Sequence, residues 1–317
     1  MSKTLTTIVS SLGTLVLAWT GLKLCTDARV RRAQAQYPPV GVFVDVDSVR
    51  LHCVSEGTGN PVVMIHGDGG STPDWTLSIF DRVAEAYQAI AFDRPGLGYS
   101  GRPPDGGSPF IQAHPIHEGL ERLGVERPVL VGHSRGGNVA LAYALAYPDD
   151  TAGVVTLAAA PYGGEITLHN RVLTVPILGP LLAHAVYVPF GRAAVEAGLE
   201  TAFALEGLPP PDYVTVYAAY ELRPKQLLAH ARDQVRGRVA SDEMARRYDL
   251  LNVPLVIVHG TTDRNVPVQQ ARTLHRAVPE SRLMEVDGAG HELMFIHPEV
   301  VMDAIAEVRG GGASWRD

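Results

Sequence analysis

The stretch that decides the fold is 128–148, which reads PVLVGHSRGGNVALAYALAYP. It begins with a short apolar run rich in Val and Leu, which is typical of a buried β-strand. From Asn138 to Tyr147 the sequence is rich in Ala and Leu and stops before Pro148, as a helix would. The glycines between these two parts, with Ser134 among them, predict a tight turn from strand to helix.

Apolar runs of the same kind alternate with helical patterns along the rest of the chain. They lie at 61–65, 89–92, 153–158, 254–258 and 282–286. Further upstream, 42–46 and 49–54 flank Asp47-Ser48, a pattern that is typical of a β-hairpin. Because continuous apolar strands that alternate with helices indicate a parallel sheet covered on both faces, we predict an α/β fold.

One connection is much longer than the others. About ninety residues separate the apolar run that ends near Ala160 from the one that begins at Val253, whereas a usual crossover is far shorter. Helical apolar spacing recurs within it at 195–205, 213–220, 227–235 and 244–251. We therefore predict a helical cap inserted after the sixth strand. The predicted divisions are an N-terminal anchor and linker at 1–39, a core at 40–160 and 252–317, and the cap at 161–251.

The N-terminal stretch 4–22 carries no charge and lies between Lys3 and Lys23. As a helix with a rise of about 1.5 Å per residue, these 19 residues are roughly long enough to cross a bilayer, so we expect a single-pass membrane anchor. The basic residues that follow the stretch outnumber the one before it and favour the cytoplasmic side for the rest of the chain. The alternative is a cleaved signal peptide and a secreted protein.

The composition limits the partners of this protein. The net charge of −7 gives no reason to expect nucleic acid, which is recognised by basic surfaces. Cys25 and Cys53 lack the spacing of a zinc site, and we do not expect a disulfide between them. We expect a small-molecule substrate, and no pattern in the sequence indicates an oligomeric state.

Three residues in this chain have the types and order needed to activate a serine. A serine hydroxyl becomes a strong nucleophile when a base takes its proton, and an acid commonly orients that base. Asp263 follows the seventh strand and His291 follows the last, so both loops can reach the sheet edge where Ser134 emerges. We predict Ser134 as nucleophile, His291 as general base and then acid, and Asp263 as the orienting acid. Glu165 and Asp287 are the alternative acids.

The negative charge that develops on a carbonyl oxygen under attack needs two hydrogen-bond donors. One should be the backbone N–H of Arg135, which directly follows Ser134. The other should come from the loop after the strand at 61–65, and Asp68 is the best candidate. Because only the backbone of Asp68 is required, we expect its carboxylate to point away or to pair with Arg135 or Arg94.

These blocks together resemble the signature blocks of the α/β-hydrolase superfamily over about 40–308, nearly all of the chain after the N-terminal stretch. The resemblance implies an eight-stranded sheet, a Ser-His-Asp triad, a variable cap after the sixth strand, and no metal or organic cofactor. The matching blocks are His66-Gly67, Asp93–Ser100, Gly132–Gly137, Asp263 and Gly290-His291.

Departures from the patterns of particular subfamilies narrow the choice of reaction. Epoxide hydrolases and haloalkane dehalogenases of this fold have Asp where this chain has Ser134. The HGGG block of hormone-sensitive-lipase-like esterases is absent, because Asp68 follows His66-Gly67. Epoxide hydrolases also usually have a Pro where this chain has Gly69.

We therefore expect hydrolysis of an ester-type bond in a small, mainly apolar substrate through an acyl-Ser134 intermediate. The bond could be a carboxylic ester, a thioester or a lactone. An alternative is cofactor-free perhydrolase or haloperoxidase activity, or C–C bond hydrolysis, on the same triad. An alternative of another class is a membrane-tethered binding protein without catalytic activity.

Overall fold

The computed structural model describes residues 3–47, 49–203 and 206–310, so Ser48 of the predicted hairpin turn and the end of the stretch 195–205 lie outside it. The strands are β1 (Val42–Val46), β2 (Val49–Glu56), β3 (Pro61–Ile65), β4 (Gln88–Phe92), β5 (Val129–His133), β6 (Gly153–Leu157), β7 (Leu255–Gly260) and β8 (Arg282–Val286). The helices are α1 (Lys3–Gln36), α2 (Pro73–Thr76), α3 (Phe80–Ala86), α4 (Pro109–Arg122), α5 (Arg135–Ala146), α6 (Leu168–Leu173), α7 (Leu178–Leu182), α8 (Val188–Phe190), α9 (Arg192–Phe203), α10 (Pro211–Glu221), α11 (Pro224–Ala245), α12 (Gln269–Ala277), α13 (Leu293–Ile296) and α14 (Pro298–Gly310). A π-helical turn at Ala183–Tyr187 joins α7 to α8, and a 3₁₀ turn lies at Tyr248–Leu250.

The strands form one eight-stranded sheet in the order β1-β2-β4-β3-β5-β6-β7-β8. Strand β2 pairs antiparallel with β1 and β4, and the pairs from β4 across to β8 are all parallel. This confirms the predicted α/β fold with a mostly parallel eight-stranded sheet. The carboxyl ends of the parallel strands meet at one edge, and the chain leaves β5 at Ser134 on that edge.

The central strands β3 to β7 are mostly apolar because helices cover both faces of the sheet. All five residues of β5 are buried, with Leu130 in one hydrophobic core and Val129 and Val131 in the other. Helices α4 and α5 pack on the first face, and α3 and α14 pack on the second. Burial on both sides explains why these strands show continuous rather than alternating hydrophobicity.

Helices α6 to α11 lie between β6 and β7, where the sequence predicts helices. The patterns at 227–235 and 244–251 are not two separate helices, because the first lies within helix α11 and only the first two residues of the second belong to that helix. That helix ends at Ala245, and the following 3₁₀ turn is tied to the rest of the protein by Tyr248, whose buried hydroxyl donates to the carbonyl of Pro161 over 2.6 Å. The division into a core and a cap at 161–251 stays a prediction.

The N-terminal stretch 4–22 is helical, but the prediction of a membrane anchor there, and with it the membrane localisation, is wrong. Among the residues described, no helix has the length and apolar character that a membrane crossing requires. Nine of the 19 residues are Thr, Ser or Gly, which dilute the apolar character. Helix α1 instead continues to Gln36 and contacts the segment before α9. There Thr26 Oγ1 donates to the carbonyl of His184 over 2.8 Å, and Arg29 donates to that of Pro189 over 3.1 Å.

Candidate active site

Ser134 lies on the turn between β5 and α5 in a strained conformation. Its φ of 50° and ψ of −119° are unusual for a residue with a side chain and cost roughly 1–3 kcal/mol. The glycines of the turn allow a very close approach, since a Cβ at Gly136 would lie 2.0 Å from the carbonyl oxygen of Ile65. The turn therefore presents the Ser134 side chain at the carboxyl edge of the sheet, beside the first turn of α5.

Asp263 and His291 meet after the ends of β7 and β8. Nδ1 of His291 donates to Oδ2 of Asp263 over 2.7 Å, while Oδ1 of Asp263 accepts the backbone N–H groups of Asn265 and Val266 at 2.8 and 2.9 Å. Burial raises the pKa of Asp263, but hydrogen bonds from His259 and His291 outweigh burial and hold this pKa below its ordinary value. Asp263 therefore stays ionised and keeps a proton on Nδ1 of His291, which leaves Nε2 as the free base.

The backbone of His291 is held from two sides. Its N–H donates to the carbonyl of Ala202 in α9 over 2.9 Å, and its carbonyl accepts from Nε2 of His133 over 3.1 Å. Burial and the neighbouring His291 lower the pKa of His133 to about 3, so His133 is neutral and can serve as this donor. Burial also lowers the pKa of His291, but its hydrogen bond to Asp263 more than offsets this, and the net shift is upward.

Ser134 and His291 line the same cavity, which has a volume of about 960 Å³. Within the described part of the chain, no group hydrogen-bonds to the Ser134 hydroxyl or to Nε2 of His291, so both atoms are open to the cavity. Catalytic hydrogen bonds of this kind are often long in the absence of substrate and shorten only when substrate binds. The arrangement can support proton transfer from Ser134 to His291, and the triad assignment stays a prediction.

The alternative acids do not contact His291 in the part of the chain that is described. Glu165 is exposed on the wall of the cavity. Asp287 is exposed as well, and its carboxylate accepts from Thr261 Oγ1 over 3.1 Å. Of the three acids that the sequence offers, Asp263 is the one hydrogen-bonded to His291.

The loop after β3 brings Asp68 to the cavity beside Ser134. A Cβ at Gly67 would lie 3.1 Å from Cβ of Ser134, so the loop touches the turn that carries the serine. The Asp68 carboxylate pairs with Nε of Arg135 at 2.9 Å and with Nη2 of Arg94 at 3.4 Å, as the sequence predicts. The N–H of Arg135 is in the first turn of α5, where helix geometry leaves it without an intrahelical acceptor. The role of Asp68 and Arg135 as oxyanion donors stays a prediction.

Two buried acids on the cavity wall were not found from the sequence. Glu292 is 6% exposed and Asp74 is 3% exposed, and both line the cavity. Burial is the main cause of a raised pKa in both acids. The pKa of Glu292 rises to about 7, and the pKa of Asp74 rises well above its ordinary value. The position of Glu292 directly after His291 could have drawn attention to it. No local signal marks Asp74, whose carboxylate lies under α10 and accepts from the hydroxyl of Tyr213 over 3.3 Å.

The Glu292→Gln variant should lose less stability than the wild type as the pH rises from 5 to 8. The folded protein holds a proton on Glu292 up to a pKa of about 7, whereas the unfolded chain releases it near its ordinary, lower pKa. Ionisation therefore destabilises the wild type over this pH range by on the order of 3 kcal/mol, and glutamine cannot ionise. Urea unfolding at both pH values measures the difference. The exposed Glu165→Gln variant is the control, and equal pH dependence in all three proteins would contradict the burial of this charge.

Comparison with known proteins places the chain among relatives of the same fold. A family model described as the alpha/beta hydrolase fold matches residues 60–298. The chain is 27% identical over 271 residues to an uncharacterised protein of Mycobacterium tuberculosis, covering 80% of this chain and 76% of the other. It is 26% identical over 296 residues to a 2-hydroxymuconate semialdehyde hydrolase of Pseudomonas putida, covering 84% and 93%.

The solved structures agree on the fold. An alpha/beta hydrolase fold protein from Burkholderia ambifaria superposes with a TM-score of 0.73 at 22% identity, over 84% of this chain and 97% of that one. At this identity the likeness concerns the fold alone. The family match nevertheless spans most of the chain, including Ser134, Asp263 and His291. The chain is therefore a member of the α/β-hydrolase family, and the predicted hydrolase fold and enzyme class are confirmed.

Proposed function

We propose that the protein hydrolyses an ester-type bond, in a carboxylic ester, thioester or lactone, through an acyl-Ser134 intermediate. The observation that carries the proposal is the 2.7 Å hydrogen bond between Asp263 and His291, in a cavity that also contains the hydroxyl of the strained Ser134. This geometry supplies a nucleophile, a base and an orienting acid without any further group.

In the proposed reaction, Nε2 of His291 takes the proton of Ser134 while the serine oxygen attacks the substrate carbonyl. The backbone N–H groups of Asp68 and Arg135 stabilise the resulting oxyanion. Collapse of this intermediate breaks the bond to the leaving group, which takes the proton from His291, and leaves the acyl-serine. Water then attacks the acyl carbon, again with His291 as base, and releases the acid and the free serine.

The segment 161–251 supports the proposal that this cap closes over the substrate. It supplies much of the cavity wall through apolar side chains that include Val195, Leu199, Leu222 and Leu227. Such a wall favours a small, mainly apolar acyl or alcohol group and keeps bulk water away from the acyl-serine. The contact between His291 N–H and Ala202 joins the proposed cap directly to the loop that carries the base.

A panel of p-nitrophenyl esters of increasing acyl length tests this proposal. The expected result is steady hydrolysis, preceded by a burst of nitrophenolate equal to the enzyme concentration when deacylation is the slower step. Chain lengths that fit the cavity should give the highest kcat/KM. A folded protein that releases no nitrophenolate from any member of the panel would contradict ester hydrolysis.

The second candidate function is hydrolysis of a C–C bond, and the observation that favours it is the resemblance to the Pseudomonas putida hydrolase. The same triad can add water across an activated ketone and expel a carbon leaving group. Loss of absorbance of a 2-hydroxy-6-oxo-dienoate substrate measures this reaction directly. Turnover of the dienoate with no turnover of esters would favour the second candidate over the first.

A further inference from the structure

The arginine closest to Ser134 is already engaged by an acid of the protein. Arg135 donates through Nε to Asp68 over 2.9 Å and through Nη2 to Gln234 over 2.9 Å. Its remaining nitrogen, Nη1, is buried against α11, where a Cβ at Gly237 would lie 2.7 Å from it. The charge of Arg135 is therefore neutralised by Asp68 and is not presented to a substrate.

The other cations on the described cavity wall are paired in the same way. Nδ1 of His230 lies 3.1 Å from Oε1 of Glu221. Burial lowers the pKa of His230, but Glu221 more than offsets this and raises it to about 9, so the pair is ionic. Arg238 pairs with Asp242 at 3.3 Å and donates to the carbonyl of Gly164. Each of these cations thus faces a carboxylate or carbonyl of the protein.

Two acids on the same wall have no arginine or lysine paired with them among the described residues, and the charged neighbour of Glu292 is His291, the proposed base. Glu292 is 6% exposed, and its buried Oε2 has no hydrogen-bond partner among the described residues. Asp74 is 3% exposed, and its carboxylate accepts from the hydroxyl of Tyr213 and from the backbone N–H of Ser71. We call Glu292 and Asp74 together the acidic wall. Because Glu292 directly follows His291 in the chain, the acidic wall adjoins the reacting end of the cavity.

We infer that the acidic wall of Glu292 and Asp74 makes the enzyme select substrates with an uncharged acyl group and reject those whose acyl group ends in a carboxylate. This inference rests on the proposed function and adds a substrate class to it. A substrate carboxylate that enters the cavity loses its water and meets cations that are already paired. It also approaches Glu292, which repels it once it is ionised above a pKa of about 7. Asp74 stays protonated and supplies no compensating positive charge.

The experiment compares two esters of matched shape in wild type and variants. One is p-nitrophenyl isooctanoate, whose branched end has the shape of a carboxylate without its charge, and the other is the mono-p-nitrophenyl ester of adipic acid. At pH 8 Glu292 is mostly ionised, because its pKa is about 7. Because like charges in a partly desolvated site repel strongly, wild-type kcat/KM at this pH should be about 100-fold lower for the adipate ester. Glu292→Gln should reduce this ratio about tenfold by removing that charge. Asp74→Asn should change the ratio much less, because the raised pKa of Asp74 keeps it protonated.

The control is Asp287→Asn, which removes a negative charge four residues from His291 but from an exposed side chain outside the cavity wall. Its ratio of the two esters should equal that of the wild type. Equal turnover of both esters by the wild type, or an unchanged ratio in Glu292→Gln, would overturn the inference.

A binding measurement separates this inference from the proposed function. Calorimetry with the Ser134→Ala protein compares the anilide of isooctanoic acid with the mono-anilide of adipic acid, and neither needs to react. The neutral anilide should bind about 100-fold more tightly. If the wild type hydrolyses no ester but this preference is present, the proposed reaction is wrong and the acidic wall is supported. If esters are hydrolysed but both anilides bind equally, the inferred selection against carboxylates is wrong and the proposed reaction stands.

Discussion

The Ser134→Ala variant should lose at least about 10⁴-fold in kcat/KM toward p-nitrophenyl esters, with its fold intact. The hydroxyl of Ser134 would form the bond to the acyl group, so no intermediate can form without it. Removing it should not destabilise the turn, because this hydroxyl makes no hydrogen bond within the described residues and the strain at φ 50° lies in the backbone. Any remaining activity would come from binding and from the oxyanion donors alone.

Labelling with a fluorophosphonate reports the same serine without any choice of substrate. The wild type should be labelled at one site, and the label should be absent from Ser134→Ala. The matched control is Ser108→Ala, because Ser108 begins α4 without a side-chain capping hydrogen bond and lies outside the cavity wall. A Ser134→Ala protein that still hydrolyses esters or takes up the label would show that another residue is the nucleophile.

The Asp263→Asn variant should lose about 10⁴-fold in kcat with a much smaller change in KM. An asparagine in this place can keep the size of the side chain but not its charge. It therefore no longer holds the proton on Nδ1 of His291 or stabilises the imidazolium that forms during the reaction. The neighbouring His259 remains to hold the loop through its hydrogen bond to the carbonyl of Val266 at 2.9 Å.

The dependence of kcat/KM on pH tests the pairing of Asp263 with His291 independently of the absolute rate. The base must be neutral, so activity should rise as the pH passes the pKa of His291, which Asp263 raises. Loss of the carboxylate should move this acidic limb to lower pH, because burial then acts on His291 against only the smaller contributions of Glu292 and Asp68. Glu165→Gln and Asp287→Asn serve as controls and should keep the wild-type limb. A wild-type profile in Asp263→Asn, with a shifted one in either control, would assign the acid elsewhere.

Much of the site follows from local sequence patterns. The turn at Ser134 is recognisable because an apolar strand, closely spaced glycines and an Ala-rich helix adjoin one another in the chain. His291 is recognisable because it follows a glycine-rich loop after the last strand. The pairing of the Asp68 carboxylate with Arg135 and Arg94 also follows from the residue types, since an acid beside a developing oxyanion needs a cation near it.

The N-terminal stretch shows where such patterns mislead. Residues 4–22 lack charge, which is one property of a membrane span, yet the described part of the chain contains no helix apolar and long enough for one. Hydrogen bonds from Thr26 and Arg29 to distant carbonyls could not be read from the sequence. Contacts of this kind join residues about 160 positions apart.

The amino-acid sequence by itself determined the succession of strands and helices along the chain, the tight turn that carries Ser134 and the resemblance to the α/β-hydrolase family, because these depend on local patterns and residue types. The order of the strands within the sheet came only from the tertiary structure. Only the tertiary structure decided which acid meets His291 and which acids are withdrawn from water. The sequence favoured Asp263 by its place after the seventh strand but left Glu165 and Asp287 open, and the 2.7 Å hydrogen bond to His291 singles out Asp263. Glu292 and Asp74 gain their raised pKa values only when distant segments bury them, and burial depends on the packing of the whole chain rather than on local order.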